Sequence, residues 1–353
     1  MSNAASIPRL GLGMAALGRP GYINLNRTTT LGSACSSDGN NNNNNNNNNR
    51  DVPFMQEKAN KVLDEAFRLN MSWIDCARSY GLSEQFVGEY LRSRNIAPSE
   101  VYVSSKWGYT YVADWNISLP DGQPHEVKDH SVETFLRQLE ETVESVGEYV
   151  RLYQIHSATF ESGVLTNSKT LAALEECKVS KNWAIGLSVS SPKQGDVLRE
   201  AMGIQMKSVQ ANDANELLFD SVQCTYNVLE QKAGGALLEA HKKGMSIIVK
   251  EGLANGRVLS NPLLLEACKR SDWKVHVDVT PDALALACIL AQPFEPSVLS
   301  GAVTAGQLAS NHMALQLAEE LRGDKADLLK ELMEGCKVSS EDYWAERSSL
   351  AWN

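Results

Sequence analysis

The sequence predicts an α/β fold of one kind, a (β/α)₈ TIM barrel with a C-terminal helical tail. Three observations carry that prediction. Short apolar runs alternate with longer helix-patterned segments, and repeated βα units imply a parallel sheet. There are eight such units in about 300 residues, the length of one closed barrel. Reactive side chains stand at the ends of several apolar runs, as at Asp75, Lys106 and His156, where parallel α/β folds present their chemistry.

The elements follow in order. Residues 9–12 form a first short strand. Gly11-Leu12-Gly13-Met14-Ala15-Ala16 matches the G-x-G-x-x-A dinucleotide fingerprint, but Gly18-Arg19-Pro20-Gly21 breaks the helix that the fingerprint needs. These glycines are read instead as places where a strand end passes close to a neighbour or ligand. Residues 54–68 carry Met55, Ala59, Val62 and Ala66 near one helical face. Strand 71–74 runs into Asp75, and a helix occupies 84–94. Strand 101–105 runs into Lys106. Residues 107–130 are an irregular stretch rich in aromatics, and Trp107, Tyr109 and Trp115 are candidates for a substrate-pocket wall. The competing expectation is a loop that packs its own aromatics. His125-Glu126 and Asp129-His130 match no established ligand spacing, so no metal site is expected.

Regular alternation resumes with a helix over 131–146, capped by Ser131. Strand 150–156 ends at His156, helix 168–179 follows, then strand 183–187 and a helix from Pro192. Strand 221–224 precedes helix 231–243, and strand 245–249 leads into a turn over 252–258. Helix 281–291 has proline in its first turn, as helix starts favour. Strand 297–299 and helix 304–321 complete the units. The chain is read as one domain over 1–353. An asparagine-rich insertion over 36–50 is expected to be disordered, because it cannot bury apolar surface. A helical extension over 324–353 is expected to pack outside the barrel.

Bulk properties narrow the function. The 353 residues are 43% hydrophobic and 22% charged, which suits one large globular unit. A net charge of −10 argues against a nucleic-acid backbone as partner, although local backbone amides still bind an anionic cofactor. The seven cysteines never form a C-x-x-C pair, and reduced thiols in a cytoplasmic protein are expected. No run approaches the ~20 apolar residues of a membrane span. No signal peptide is evident at the start.

One stretch organises the rest: Trp73-Ile74-Asp75-Cys76-Ala77-Arg78-Ser79-Tyr80-Gly81. Asp75, Tyr80, Lys106 and His156, in that order and at those strand ends, resemble the catalytic tetrad of the aldo-keto reductases. The resemblance continues through Ile185-Gly186-Leu187-Ser188, Gln223-Cys224-Thr225-Tyr226-Asn227, Gly252-Leu253-Ala254-Asn255-Gly256 and Leu299-Ser300-Gly301-Ala302-Val303-Thr304. It covers nearly the whole chain apart from the insertion and the tail. It implies an NAD(P)H-dependent oxidoreductase that interconverts aldehydes, ketones or sugars with alcohols. In that chemistry the nicotinamide supplies a hydride and a nearby group supplies a proton to oxygen. Tyr80 is the implied acid. A phenol has an ordinary pKa of ~10, and an ammonium at Lys106 is expected to lower it, with Asp75 keeping the lysine charged. His156 is expected to hydrogen-bond the carbonyl oxygen.

The resemblance also implies cofactor contacts. Ser188 and Gln223 match positions that hold the carboxamide. Val189 stands where the family often has Asn, and Lys250 where many relatives have a stacking aromatic. Gly252, Leu253, Ala254 and Gly256 match the loop around the pyrophosphate, with Arg257 adding charge. Gly301, Ala302, Thr304, Gln307 and Asn311 match the adenosine site. NADPH is the expected cofactor and NADH its rival, since Gly301, Val303 and Gln307 occupy positions where many relatives carry Lys or Arg. A monomer acting on a small carbonyl or alcohol is expected. The alternatives are an NAD-dependent sugar dehydrogenase and, in another class, a cofactor-binding regulatory subunit with little turnover.

Overall fold

A computed structural model describes residues 7–25, 30–31, 50–207, 216–275 and 278–353. The strands in chain order are β1 (Leu10–Gly13), β2 (Trp73–Asp75), β3 (Tyr102–Trp107), β4 (Tyr109–Tyr111), β5 (Glu126–Lys128), β6 (Val150–Ala158), β7 (Ala184–Val189), β8 (Ser221–Thr225), β9 (Ser246–Lys250) and β10 (Ser297–Ser300). Eight of them close into a barrel in the order β1-β10-β9-β8-β7-β6-β3-β2. Every pair in it is parallel, and β1 closes the ring through Gly11↔Leu299 on one side and Gly13↔Asp75 on the other. The (β/α)₈ expectation therefore holds.

The helices are α1 (Val52–Arg68), α2 (Ser83–Ser93), α3 (Val132–Val146), α4 (Ser168–Lys181), α5 (Gln194–Ala201), α6 (Gly234–Lys242), α7 (Pro262–Cys268), α8 (Pro281–Leu290), α9 (Ala305–His312), α10 (Ala314–Arg322), α11 (Ala326–Cys336) and α12 (Ser340–Ser348). Local chemistry sets their starts. Asp51 caps α1 by accepting from the Phe54 amide, and Ser131 caps α3 by accepting from the Thr134 amide, as its sequence indicates. No described helix is long and apolar enough to cross a membrane.

Three features depart from expectation. Residues 107–130 are not irregular throughout: β4 and β5 pair antiparallel, with Tyr109 opposite Lys128 and Tyr111 opposite Glu126. The single helix expected over 304–321 is two, α9 and α10, separated at Met313. The end of the tail does not lie apart from the barrel mouth. Asn353 exchanges two backbone hydrogen bonds with Tyr22 in the loop after β1. Residues 36–49 of the insertion lie outside the described residues. Its last residue, Arg50, is buried and donates to the Pro20 carbonyl.

The barrel interior is built in layers, as closed α/β barrels require. Trp73, Tyr102, Leu152, Ile248 and Leu299 form an apolar plug. Toward the carboxyl ends a polar layer follows, with Asp75, Ser104, Gln154 and Gln223 fully or almost fully buried. Gly11 makes room for the plug. A Cβ there would stand 2.2 Å from a ring carbon of Trp73, so the close-approach reading of this glycine is correct.

That geometry yields a prediction. Gly11→Ala forces the Trp73 indole or the strand to move and should cost about 1–3 kcal/mol, the usual scale of overpacking. Gly306→Ala is the control, because nothing lies within 4 Å of its added Cβ and alanine favours a helix. Thermal unfolding of both variants checks this. Equal midpoints would contradict the packing described.

Candidate active site

The carboxyl end of the barrel gathers Asp75, Tyr80, Lys106 and His156. Asp75 is the last residue of β2 and lies opposite Ser104 in β3. Lys106 Nζ donates to Asp75 Oδ2 at 2.5 Å and to the Cys76 carbonyl at 2.8 Å. Both side chains are essentially inaccessible. The other carboxylate oxygen accepts from Ser104 Oγ at 2.8 Å and from Gln223 Nε2 at 3.2 Å. Ser104 in turn accepts from the Trp73 indole at 2.9 Å. The apolar plug and the ion pair are thus joined by one hydrogen-bond chain.

Tyr80 lies on this pair. Lys106 Nζ is 4.7 Å from its ring centroid, and the His156 ring meets it edge-on with centroids 5.5 Å apart. His156 Nδ1 is 3.3 Å from Ser79 Oγ, and Tyr109 packs on its other side at 5.0 Å. Burial pushes the His156 imidazole well below its ordinary value, and Lys106, Lys250 and Arg19 add to the shift. The ring is therefore neutral.

The expected tuning of Tyr80 by Lys106 is corrected. Burial pushes the phenol well above its ordinary value, and Asp75 pushes the same way. Arg19 is the cation that pulls against them. The physical reason is burial first: a phenolate is costly away from water, and the Asp75 carboxylate makes it costlier still. Tyr80 is a protonated phenol through the neutral range.

Arg19 is a site residue that the sequence did not reveal. Its guanidinium donates to the Ser79 carbonyl at 2.8 Å and pairs with Glu126 at 2.9 Å. Its Cζ lies 5.4 Å from the Tyr80 ring, 5.1 Å from Tyr22 and 4.7 Å from Trp352. Trp352 also stacks on His125 at 4.0 Å. The end of the tail therefore forms part of an aromatic collar around Tyr80.

From Asp75, Tyr80 and Gln223 a cavity of about 480 Å³ runs past Lys250 and the 252–256 turn to Gly301, Gln307 and Asn311. Glu251, Ala254, Asn255 and Gly256 all have positive φ, which curls this turn around the cavity. Among the described residues Asn255 Oδ1 is buried without a partner, and Asn255 lines the cavity. A curled backbone, an unmatched buried carbonyl and the capped start of α9 suit an elongated polar ligand such as a dinucleotide.

Of the cofactor residues expected from the sequence, Gln223, Lys250, Gly252, Leu253, Gly256, Gly301, Ala302, Gln307 and Asn311 line that cavity. Four do not. Ser188 is buried and accepts from the Ser157 amide at 2.8 Å. Ala254 is packed in the core beneath its turn. Thr304 caps α9 by accepting from the Gln307 amide. Arg257 turns to the tail, where it pairs with Glu346 at 2.8 Å and stacks on Tyr343; its charge serves the tail rather than the cavity. In the expected substrate wall only Tyr109 reaches the site. Trp107 is fully buried against Phe135 and His130. Trp115 packs on Phe86 and donates to the Arg50 carbonyl.

The comparisons with known proteins agree with this geometry. A sequence model described as the aldo/keto reductase family matches residues 43–334. A Bacillus subtilis protein called uncharacterized oxidoreductase YqkF is 25% identical over 285 residues, 73% of this chain and 82% of that one. The NADH-specific methylglyoxal reductase of Escherichia coli is 25% identical over 298 residues, 76% of this chain and 86% of that one. Among solved structures, the holo form of the Bacillus halodurans aldo-keto reductase AKR11C1 superposes with a TM-score of 0.62 at 20% identity, over 93% of this chain and 94% of that one. An aldo/keto reductase from Klebsiella pneumoniae in complex with NADP and acetate gives 0.61 at 15% identity, over 94% and 93%.

The electrostatics predict a pH response. Burial holds His130 down to about 4, and His156 is also held below its ordinary value. Each therefore binds its proton in the unfolded chain before it does in the folded one. Stability should be full above about pH 6.5 and fall as pH drops toward the folded values, by up to roughly 1.4 kcal/mol per pH unit for each group. Imidazole resonances followed by NMR should show both rings neutral at pH 5.5. A midpoint near 6.5 for either ring would contradict the assignment.

Proposed function

The chain belongs to the aldo/keto reductase family, and from that premise we propose that it reduces aldehydes or ketones with NAD(P)H, using Tyr80 as the proton donor. The observation that carries the proposal is the position of the Tyr80 ring. It stands between the Asp75–Lys106 pair and the neutral His156 ring, at the floor of the cavity. The dinucleotide, when bound, supplies a hydride to the carbonyl carbon.

The chain's own residues supply the rest. A phenol that keeps its proton through the neutral range is ready to deliver it to the carbonyl oxygen as negative charge develops there. The buried pair fixes the polar layer beneath the ring. His156 Nδ1 lies 3.3 Å from Ser79 Oγ; with the hydroxyl donating to it, the neutral imidazole would carry its proton on Nε2, as a donor for the same oxygen. Tyr109 packs on His156 and Tyr22 on Trp352, an aromatic rim that would limit water around the reacting atoms. Gln223, Lys250, the 252–256 turn and the start of α9 line one cavity with Tyr80, which supports a dinucleotide bound along it.

Methylglyoxal is the first substrate to try, because the Escherichia coli relative is named for it. Tyr80→Phe keeps the ring and removes the hydroxyl. Single-turnover hydride transfer with saturating cofactor should then slow by roughly 10² or more, with cofactor affinity little changed. If Tyr80→Phe binds cofactor and transfers hydride at the wild-type rate, Tyr80 is a packing residue and the mechanism is wrong.

A further inference from the structure

Charge is distributed unevenly along the cavity. Among the described residues, and apart from its tyrosines, its ionisable lining residues are Asp75, Lys250, Glu251 and Asp282. The first three belong to the catalytic half, and each is matched there. Asp75 is paired with Lys106, and Glu251 with Arg347 at 2.5 Å. Lys250 donates to Thr225 at 3.2 Å and lies beside Glu251. Asp282 stands at the opposite end, with Gly301, Gln307, Ser310 and Asn311.

Asp282 is in the first turn of α8 and is half-buried. Its Oδ2 accepts from Asn311 Nδ2 at 2.6 Å, and Asn311 Oδ1 accepts from Ser300 Oγ at 2.7 Å. The amide of Asn311 is thereby held with its donor toward the carboxylate. Among the described residues no cation lies within ion-pair distance of Asp282. The described lining residues at this end, Gly301, Gln307, Ser310 and Asn311, are neutral, and Gln307 is committed through Oε1 to the Val303 amide at 2.9 Å. Gly301 and Gly306 leave open space beside it.

We infer that Asp282 is a specificity residue that makes this end of the cavity reject a phosphate monoester on the adenosine ribose, so that the protein selects NADH over NADPH. The inference rests on the dinucleotide-binding proposal above. The nicotinamide half must lie at Tyr80, so the adenosine half lies at the other end of the same cavity. A ribose hydroxyl can donate to a free carboxylate oxygen. A 2′-phosphate carries ≈ −1.5 to −2 charge near pH 7 and has only acceptors to offer. In a half-buried site it meets Asp282 as a like charge, with neutral partners around both. Dinucleotide folds of other architecture use an acidic side chain on the ribose hydroxyl in the same way. On this inference NADH, the rival to the NADPH that the family resemblance implies, is the preferred cofactor.

The test is equilibrium binding to the full-length protein, read by quenching of tryptophan fluorescence. NADH, NADPH, ADP-ribose and 2′-phospho-ADP-ribose are titrated against wild type, Asp282→Asn and Gln307→Arg. Wild type should bind NADH at least tenfold more tightly than NADPH, and the two ADP-ribose probes should differ in the same sense. Asp282→Asn should narrow the gap severalfold, chiefly by tightening the phosphorylated ligands. Gln307→Arg, which leaves Asp282 in place, should narrow it independently. If both dinucleotides bind but NADPH binds equally or more tightly, the inference is overturned while the dinucleotide proposal survives. That result would include a compensating cation such as Arg27, which lies outside the described residues. An unchanged ratio in a folded Asp282→Asn overturns it as well. If neither dinucleotide binds, the proposed function fails and this inference fails with it.

Discussion

The buried pair between Lys106 and Asp75 is the constraint on which the rest of the site depends. Removing two charges from water costs several kcal/mol per ion, and their attraction offsets this only when every remaining polar group is satisfied. Here the partners come from three strands: Ser104 from β3, Gln223 from β8, and β2, which gives the Cys76 carbonyl beyond its end and Trp73 through Ser104. The barrel is what allows residues so far apart in sequence to converge on one carboxylate. The pair is therefore better understood as fixing geometry than as adding stability. It holds a polar floor under Tyr80.

Above the floor, the tail binds the two halves of the site to one another. Arg347 of α12 makes a forked contact to Glu251, and Arg257 reaches Glu346 and Tyr343, so the turn over the cavity is fastened to the tail. The same tail ends in Trp352 and Asn353, which pack on Arg19, His125 and Tyr22 at the mouth. Residues that line the cavity and residues at its mouth are thus tied through one C-terminal segment. Burial opposes ionisation of Glu251, but Arg347 and Lys250 outweigh it and hold the carboxyl below its ordinary value, so this fastening is ionic at neutral pH.

Strand ends were legible in the sequence because they rest on local signals. A buried parallel strand is an apolar run, and a polar side chain directly after it has nowhere to go but the carboxyl rim. Asp75, Lys106 and His156 could be placed for that reason. Contacts between distant segments leave no such trace. Trp107 and Tyr109 are two residues apart, yet one is core and the other faces His156, because they lie either side of Gly108 with its φ of 106°. The hairpin of β4 and β5 went unread because its strands are three residues each and far apart in sequence. The break at Met313 carries no proline or glycine to mark it. Arg19, Arg257 and Asp282 take their meaning from Trp352, Glu346 and Asn311, which only the folded chain brings near. Burial, which dominates the Tyr80 proton, is likewise a property of the whole barrel and not of any motif.

The central claim is that Asp75 and Lys106 act as one buried unit. A double-mutant cycle on stability tests it most directly, with Asp75→Asn, Lys106→Met and the double variant unfolded in denaturant. Each single change strands a buried charge and should cost about 3–5 kcal/mol. The double variant strands none, so it should be no less stable than either single one and should recover much of the loss. Losses that simply add in the double variant would contradict the account, because they would mean that the two side chains contribute independently and that the pair does not hold the site together.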